Sequence, residues 1–185
     1  MVAYFQLQPS EAELQELADE YWRESGTRER ELEKAAFEAG EAIRNGEYTL
    51  SNLEAIVRWR SECAVQYLIT NSNENIRKAL AVAAASGTST GDAIKALLEL
   101  QGIDIALASA ILAAIYPERY TVLDFRALEA LGHSRHDVHF YEEYVAFCKR
   151  LAESNIVKPQ SDLPAPTSLR TLDRALWEWS KKYAG

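Results

Sequence analysis

Cysteine is scarce in this sequence: Cys63 and Cys148 are the two in 185 residues, far apart, with no second Cys or His at ligand spacing from either. A zinc knuckle and a four-cysteine iron–sulfur cluster are thereby excluded, and both thiols are expected to be free and buried. Also missing is any run approaching the eighteen apolar residues a membrane span requires. The opening Met1-Val2-Ala3-Tyr4-Phe5-Gln6 carries neither the basic nor the apolar region of a signal peptide, so the expected location is the cytoplasm. There is no run of Lys and Arg, and the formal charge of −8 weighs against an extended phosphate-binding groove. Strand signals are lacking as well: Ala81-Val82-Ala83-Ala84-Ala85 is too alanine-rich for a strand, and Val122-Leu123 reads as a short extended linker. No internal repeat is visible.

What is present is a 48% apolar chain, enough for one well-filled core. A single helical domain over 1–185 is therefore expected, with acidic N-terminal helices in 1–50, a core in 51–132 and C-terminal helices in 133–185. The charge is unevenly spread. Residues 1–50 carry 12 acidic and 5 basic side chains, whereas 51–185 carry 16 and 15. The main body is nearly neutral, so a phosphate contact would need a local patch. Candidates are Arg58, Arg60 and Arg126, or the set Lys158, Arg170, Arg174, Lys181 and Lys182, against the reading that these are scattered cations on solvated faces.

Helical periodicity runs through the chain. Ser10-Glu11-Ala12-Glu13 has the capping-box pattern and opens a rhythm of Leu14, Leu17, Ala18, Tyr21 and Trp22 that Gly26 stops. A second acidic helix is predicted over 28–44, closed by Asn45-Gly46. Ser51-Asn52-Leu53-Glu54 repeats the capping box, and the apolar positions predict one helix from there through Cys63, Ala64, Tyr67 and Leu68. Further helices are predicted over 74–85, 90–100, 105–116, 125–131, 141–153 and 168–182. In the last, Leu169, Leu172, Leu176 and Trp179 recur at helical spacing and should pack on the core.

The most informative stretch is Leu97-Leu98-Glu99-Leu100-Gln101-Gly102-Ile103-Asp104-Ile105-Ala106-Leu107-Ala108-Ser109-Ala110-Ile111-Leu112. Two helices joined by a tight turn need a residue that accepts the left-handed conformation, which Gly102 supplies, and small residues for close approach, here Ala108 and Ser109. Downstream comes Tyr120-Thr121-Val122-Leu123-Asp124-Phe125-Arg126-Ala127-Leu128, with Asp124 placed to start a short helix.

This arrangement resembles the helix-hairpin-helix DNA glycosylase superfamily, the endonuclease III-like and methyladenine-glycosylase-like enzymes. Their motif reads Leu-Pro-Gly-Val-Gly-x-Lys-Thr-Ala, then a helix, then Val-Asp-Thr-His. Gly102 falls on the first glycine, Asp104 on the second, Ala106 on the lysine and Ala108 on the alanine, while Asp124, eighteen residues after Ala106, falls on the catalytic aspartate. The likeness covers about 97–132, with the hairpin in 90–116. It implies an all-α, two-lobed helical bundle, a DNA-binding hairpin at Gly102, Ile103 and Asp104, a catalytic Asp124 and no cofactor.

Two departures bear on the chemistry. Lyase-competent members attack the sugar with a lysine amine; Ala106 cannot, so the implied activity is monofunctional base excision, with Asp124 stabilising oxocarbenium character and orienting water. The hairpin of the family aims backbone N–H groups at a phosphate; Asp104 puts a carboxylate there, where it serves well as a helix N-cap. Asp124 is open to the same capping role. His133, His136 and His139 drift about 60° per step around a helix, so only a loop could converge them on a metal, and a solvated surface turn is the simpler expectation. Tyr141, Tyr144 and Phe147 are expected in the core.

Two functions follow as expectations. One is a divergent glycosylase acting weakly and salt-dependently on duplex DNA. The other is a non-catalytic binding module that keeps the hairpin for packing and meets a protein partner through its acidic N-terminal helices.

Overall fold

Side-chain caps set where most of the helices begin. Thr49, Ser72, Ser89, Asp104, Asp124, Asp137 and Thr167 each have extended backbone, and each side chain accepts a hydrogen bond from the backbone N–H three residues on. In the computed structural model, which describes residues 4–134 and 137–184, the helices are α1 (Leu14–Glu24), α2 (Thr27–Arg44), α3 (Leu50–Arg60), α4 (Val65–Leu68), α5 (Asn73–Ala84), α6 (Thr90–Leu98), α7 (Ile105–Ile115), α8 (Phe125–Ala130), α9 (Val138–Glu153) and α10 (Ser168–Tyr183). Single 3-10 turns occupy Glu11–Glu13 and Glu62–Ala64, and no strand occurs among the described residues. The all-α expectation holds. Among these helices none is long and apolar enough to cross a membrane.

The predicted third helix is corrected in two respects. It starts one cap earlier, because Thr49 Oγ1 takes the Asn52 N–H at 3.2 Å, so Ser51 lies inside the helix instead of capping it. It also ends at Arg60. Ser61 is extended (φ −155°, ψ 96°), its N–H closing on the Val57 carbonyl at 2.7 Å, and the chain restarts through the 3-10 turn. The break leaves Cys63 exposed, against the expectation that both thiols are buried; Cys148 is buried. Similarly α9 starts a turn before the predicted 141, because Asp137 caps it through the Phe140 N–H at 2.7 Å.

The chain divides into two compact units, one formed by Thr27–Tyr116 and the other by Met1–Gly26 with Pro117–Gly185. In the first, α7 is the centre: every residue from Leu107 to Ile115 is buried. Helix α2 comes so close to it that a Cβ on Gly40 would lie 2.0 Å from the Ala114 carbonyl oxygen. Ala108 and Ser109 are fully buried, as close helix approach requires.

In the second unit α1 packs along α10, with Leu14, Leu17 and Ala18 on one side and Leu169, Leu172 and Leu176 on the other, all buried. The extended residues 120–123 are held by two buried tyrosines of α9. Tyr141 Oη donates to the Thr121 carbonyl and Tyr144 Oη to the Val122 carbonyl, each at 3.0 Å. Tyr141 and Tyr144 are therefore core residues, as expected. At the chain start Gln6 N–H and Gln8 N–H donate to the carbonyls of Leu131 and Ala130, which seats Phe5 against the rings of Phe140 and Phe147.

Candidate functional site

The turn between α6 and α7 carries three of the predicted site residues. Gly102 has φ +86°, the left-handed conformation that favours glycine, and a Cβ there would sit 2.7 Å from Tyr67 Cβ. Conformation and space both demand glycine. Ile103 is buried, while Asp104 is exposed.

The polar groups of this turn are largely engaged within the protein. Asn71 reaches from the loop after α4, accepting the Gln101 N–H at 2.8 Å and donating through Nδ2 to the Gln101 carbonyl at 3.1 Å. The Ile103 N–H donates to the Leu100 carbonyl. Asp104 Oδ1 accepts the Leu107 N–H at 2.8 Å, one of the first-turn amides that a helix N-terminus offers to an anion.

Asp124 caps α8 by accepting the Ala127 N–H at 2.9 Å, and it is half-buried. Because the tyrosine-anchored residues 120–123 lead straight into it, its backbone is fixed on both sides. Beside it Phe125 is 59% exposed. Arg126 lies over the Phe125 ring at 5.1 Å and over the Trp177 ring at 5.0 Å. Asp124 and Arg126 thus share the first turn of α8.

The other proposed phosphate contacts, Arg58 and Arg60, occupy the last turn of α3, both half-buried, with Arg60 over the Trp59 ring at 5.1 Å. The larger basic set near the chain end does not form a patch. Arg170 and Arg174 are buried, the first paired with Asp173, the second donating to Gln160 Oε1 at 3.0 Å and to the Pro164 carbonyl at 2.9 Å. Lys181 pairs with Glu24 at 2.9 Å and Lys182 with Glu20 at 2.7 Å. Sequence type suggested solvated cations; two of the five instead tie α10 into the interior, and two more are paired with α1.

Of the three histidines, His133 follows α8 and His139 lies in α9. His133 is half-buried between the rings of Phe5 and Phe140, at 5.2 and 5.0 Å. His139 is exposed and faces the Glu143 carboxylate at 3.3 Å. His136 lies outside the described residues.

Two concave regions escaped the sequence reading. A cavity of about 420 Å³ between α5 and α6 is lined by Lys78, Asp92, Lys95 and Glu99, cations and anions in balance. A second, of about 480 Å³, is lined by Gln8, Glu129, His133 and Trp179. The residues of each are scattered over two or more segments with no spacing that marks them in sequence.

No family model, no curated protein and no solved structure matches the chain.

Proposed function

We propose that this chain is a non-catalytic helical binding module in which the α6–α7 turn serves packing. The observation that carries the reading is the Asp104 carboxylate on the Leu107 N–H at 2.8 Å. A phosphate approaching that helix start would meet an amide already taken and a negative charge in its place. The Asn71 clamp on Gln101 adds to this, since it turns further backbone groups of the turn inward.

The partner best suited to the surface is a protein with a basic face. Residues 1–50 hold 12 acidic and 5 basic side chains, and Glu31, Glu38 and Glu41 stand exposed on α2. Charges of this kind steer association and set partner choice.

A second reading, monofunctional base excision, is favoured by Asp124: a half-exposed carboxylate at the start of α8, eighteen residues after Ala106, with its backbone anchored through Tyr141 and Tyr144. Duplex titration by fluorescence anisotropy and excision assays on oligonucleotides carrying alkylated, deaminated or oxidised bases decide between the two. The binding module predicts no excision and, at low salt, only weak duplex affinity that falls steeply with added salt. Excision by the wild type that disappears in Asp124→Asn would replace it with the glycosylase reading. Asp104→Asn keeps the cap and removes the charge; if it tightens duplex binding, the turn faces DNA and the packing role is wrong.

A further inference from the structure

Three glutamates converge where α1 meets α10. Glu20 and Glu24 stand one turn apart on α1, Glu178 faces them from α10, and one carboxylate oxygen from each lies within 4.8 Å of the other two. Glu178 is fully buried, and neither of its oxygens receives a hydrogen bond. An acceptor held like this without a donor is costly, the more so when it is charged. The nearest cation, Lys181 Nζ, is 3.6 Å from Glu178 Oε1, within ion-pair reach and beyond hydrogen-bonding distance, because its short contact of 2.9 Å goes to Glu24. Lys182 is likewise committed to Glu20, at 2.7 and 2.9 Å.

We propose that Glu20, Glu24 and Glu178 form a binding site for a hard divalent cation of about the size of calcium. Oxygen ligands bind such an ion at about 2.3–2.6 Å, so two of them can stand up to about 5 Å apart across it. Three carboxylate oxygens that all lie within 4.8 Å of one another are close enough to share such an ion. A purely carboxylate donor set selects hard cations over soft ones. The cation gives the Glu178 oxygens, which receive no hydrogen bond and face Lys181 only at 3.6 Å, a direct ligand bond, and water completes the shell on the exposed side at Glu24. Lys181 and Lys182 hold the carboxylates together in its absence and swing outward when it binds, which their long exposed stems allow. The site is independent of the α6–α7 turn and of Asp124.

Calorimetric titration of the whole chain with calcium chloride at low ionic strength, with thermal unfolding measured alongside, tests it. Saturable binding to one site and a rise in Tm are expected, with affinity falling at least about tenfold in Glu178→Gln and in Glu24→Gln. Glu24 is exposed, so its variant reports on binding even if Glu178→Gln folds poorly. Absence of saturable heat up to about 10 mM calcium overturns the proposal, the weak limit for such sites being about 1 mM. So does an unchanged affinity in Glu24→Gln.

Discussion

Replacing Gly40 by alanine sets two effects of known sign against each other. Gly40 lies inside α2, where alanine is the better helix former by about 0.5–1 kcal/mol, so propensity alone makes Gly40→Ala stabilising. Packing opposes it. The new Cβ would fall 2.0 Å from the Ala114 carbonyl oxygen, 2.2 Å from its carbon and 2.9 Å from Ala114 Cβ. Overpacking a core costs about 1–3 kcal/mol, and the upper end applies when the obstacle is backbone that no rotamer change can move. That backbone belongs to α7, buried from Leu107 to Ile115, so one helix must shift bodily. The net expectation is a loss of about 2 kcal/mol, or about 4–8 °C in Tm for a chain of this length. Thermal and urea unfolding followed by circular dichroism measure it. Gly87→Ala is the control: nothing stands within 4 Å of a Cβ there, and its effect should stay within about 0.5 kcal/mol. A Gly40→Ala protein as stable as the wild type would show that α2 and α7 do not approach as described.

The thiols should differ sharply: Cys63 is exposed and Cys148 buried, so an aromatic disulfide reagent should label one thiol rapidly in the native protein and two after unfolding; two fast thiols would contradict the fold of the second unit. Burial raises Tyr141, Tyr144 and Cys148 above their ordinary values of 10.0, 10.0 and 9.0, and these groups lose their proton more readily when unfolded. Their contribution is therefore full below about pH 9 and is lost as pH rises, by up to about 1.4 kcal/mol per pH unit for each group; denaturant midpoints that stay flat from neutrality to pH 11 would refute this. Asp124→Asn should unfold within about 1 kcal/mol of the wild type, because asparagine caps a helix nearly as well; a larger loss would mean that the charge itself holds α8.

Much of this architecture can be read from local signals. Gly102 and Asp104 announce the turn and the cap they form, and Gly26 marks the end of α1, because backbone chirality and capping are decided within a few residues. The break at Ser61 was hidden. Cys63, Ala64, Tyr67 and Leu68 keep a helical phase across it, so apolar spacing alone cannot register an extended residue in between. The buried arginines were hidden for another reason. Arg170 and Arg174 lie inside because Trp22, Asp173, Gln160 and the Pro164 carbonyl surround them, and those partners come from α1, α10 and the loop before it. Residue type places a guanidinium at the surface unless its partners are known. The three-glutamate cluster is the same case, its members joined only once α1 and α10 meet.

The order of elements along the chain bears on how the protein is made. Helices α2 to α7 find their partners within Thr27–Tyr116, so this unit can collapse as soon as that stretch has left the ribosome. Helix α1, made before them, cannot. Its partners lie on the far side of the chain: Gln15 joins the Lys158 amide across 143 positions and Glu20 joins Lys182 across 162. Closing a loop of about 150 residues costs about 2 kcal/mol more than closing one of about 15. Throughout synthesis of the inserted unit, then, the apolar stripe of Leu14, Leu17 and Ala18 waits in water for α10. That interval is when a nascent chain is open to chaperones and to association with its own copies, and the like charge of the acidic residues around the stripe, Glu11, Glu13, Glu16, Asp19 and Glu20, opposes such association.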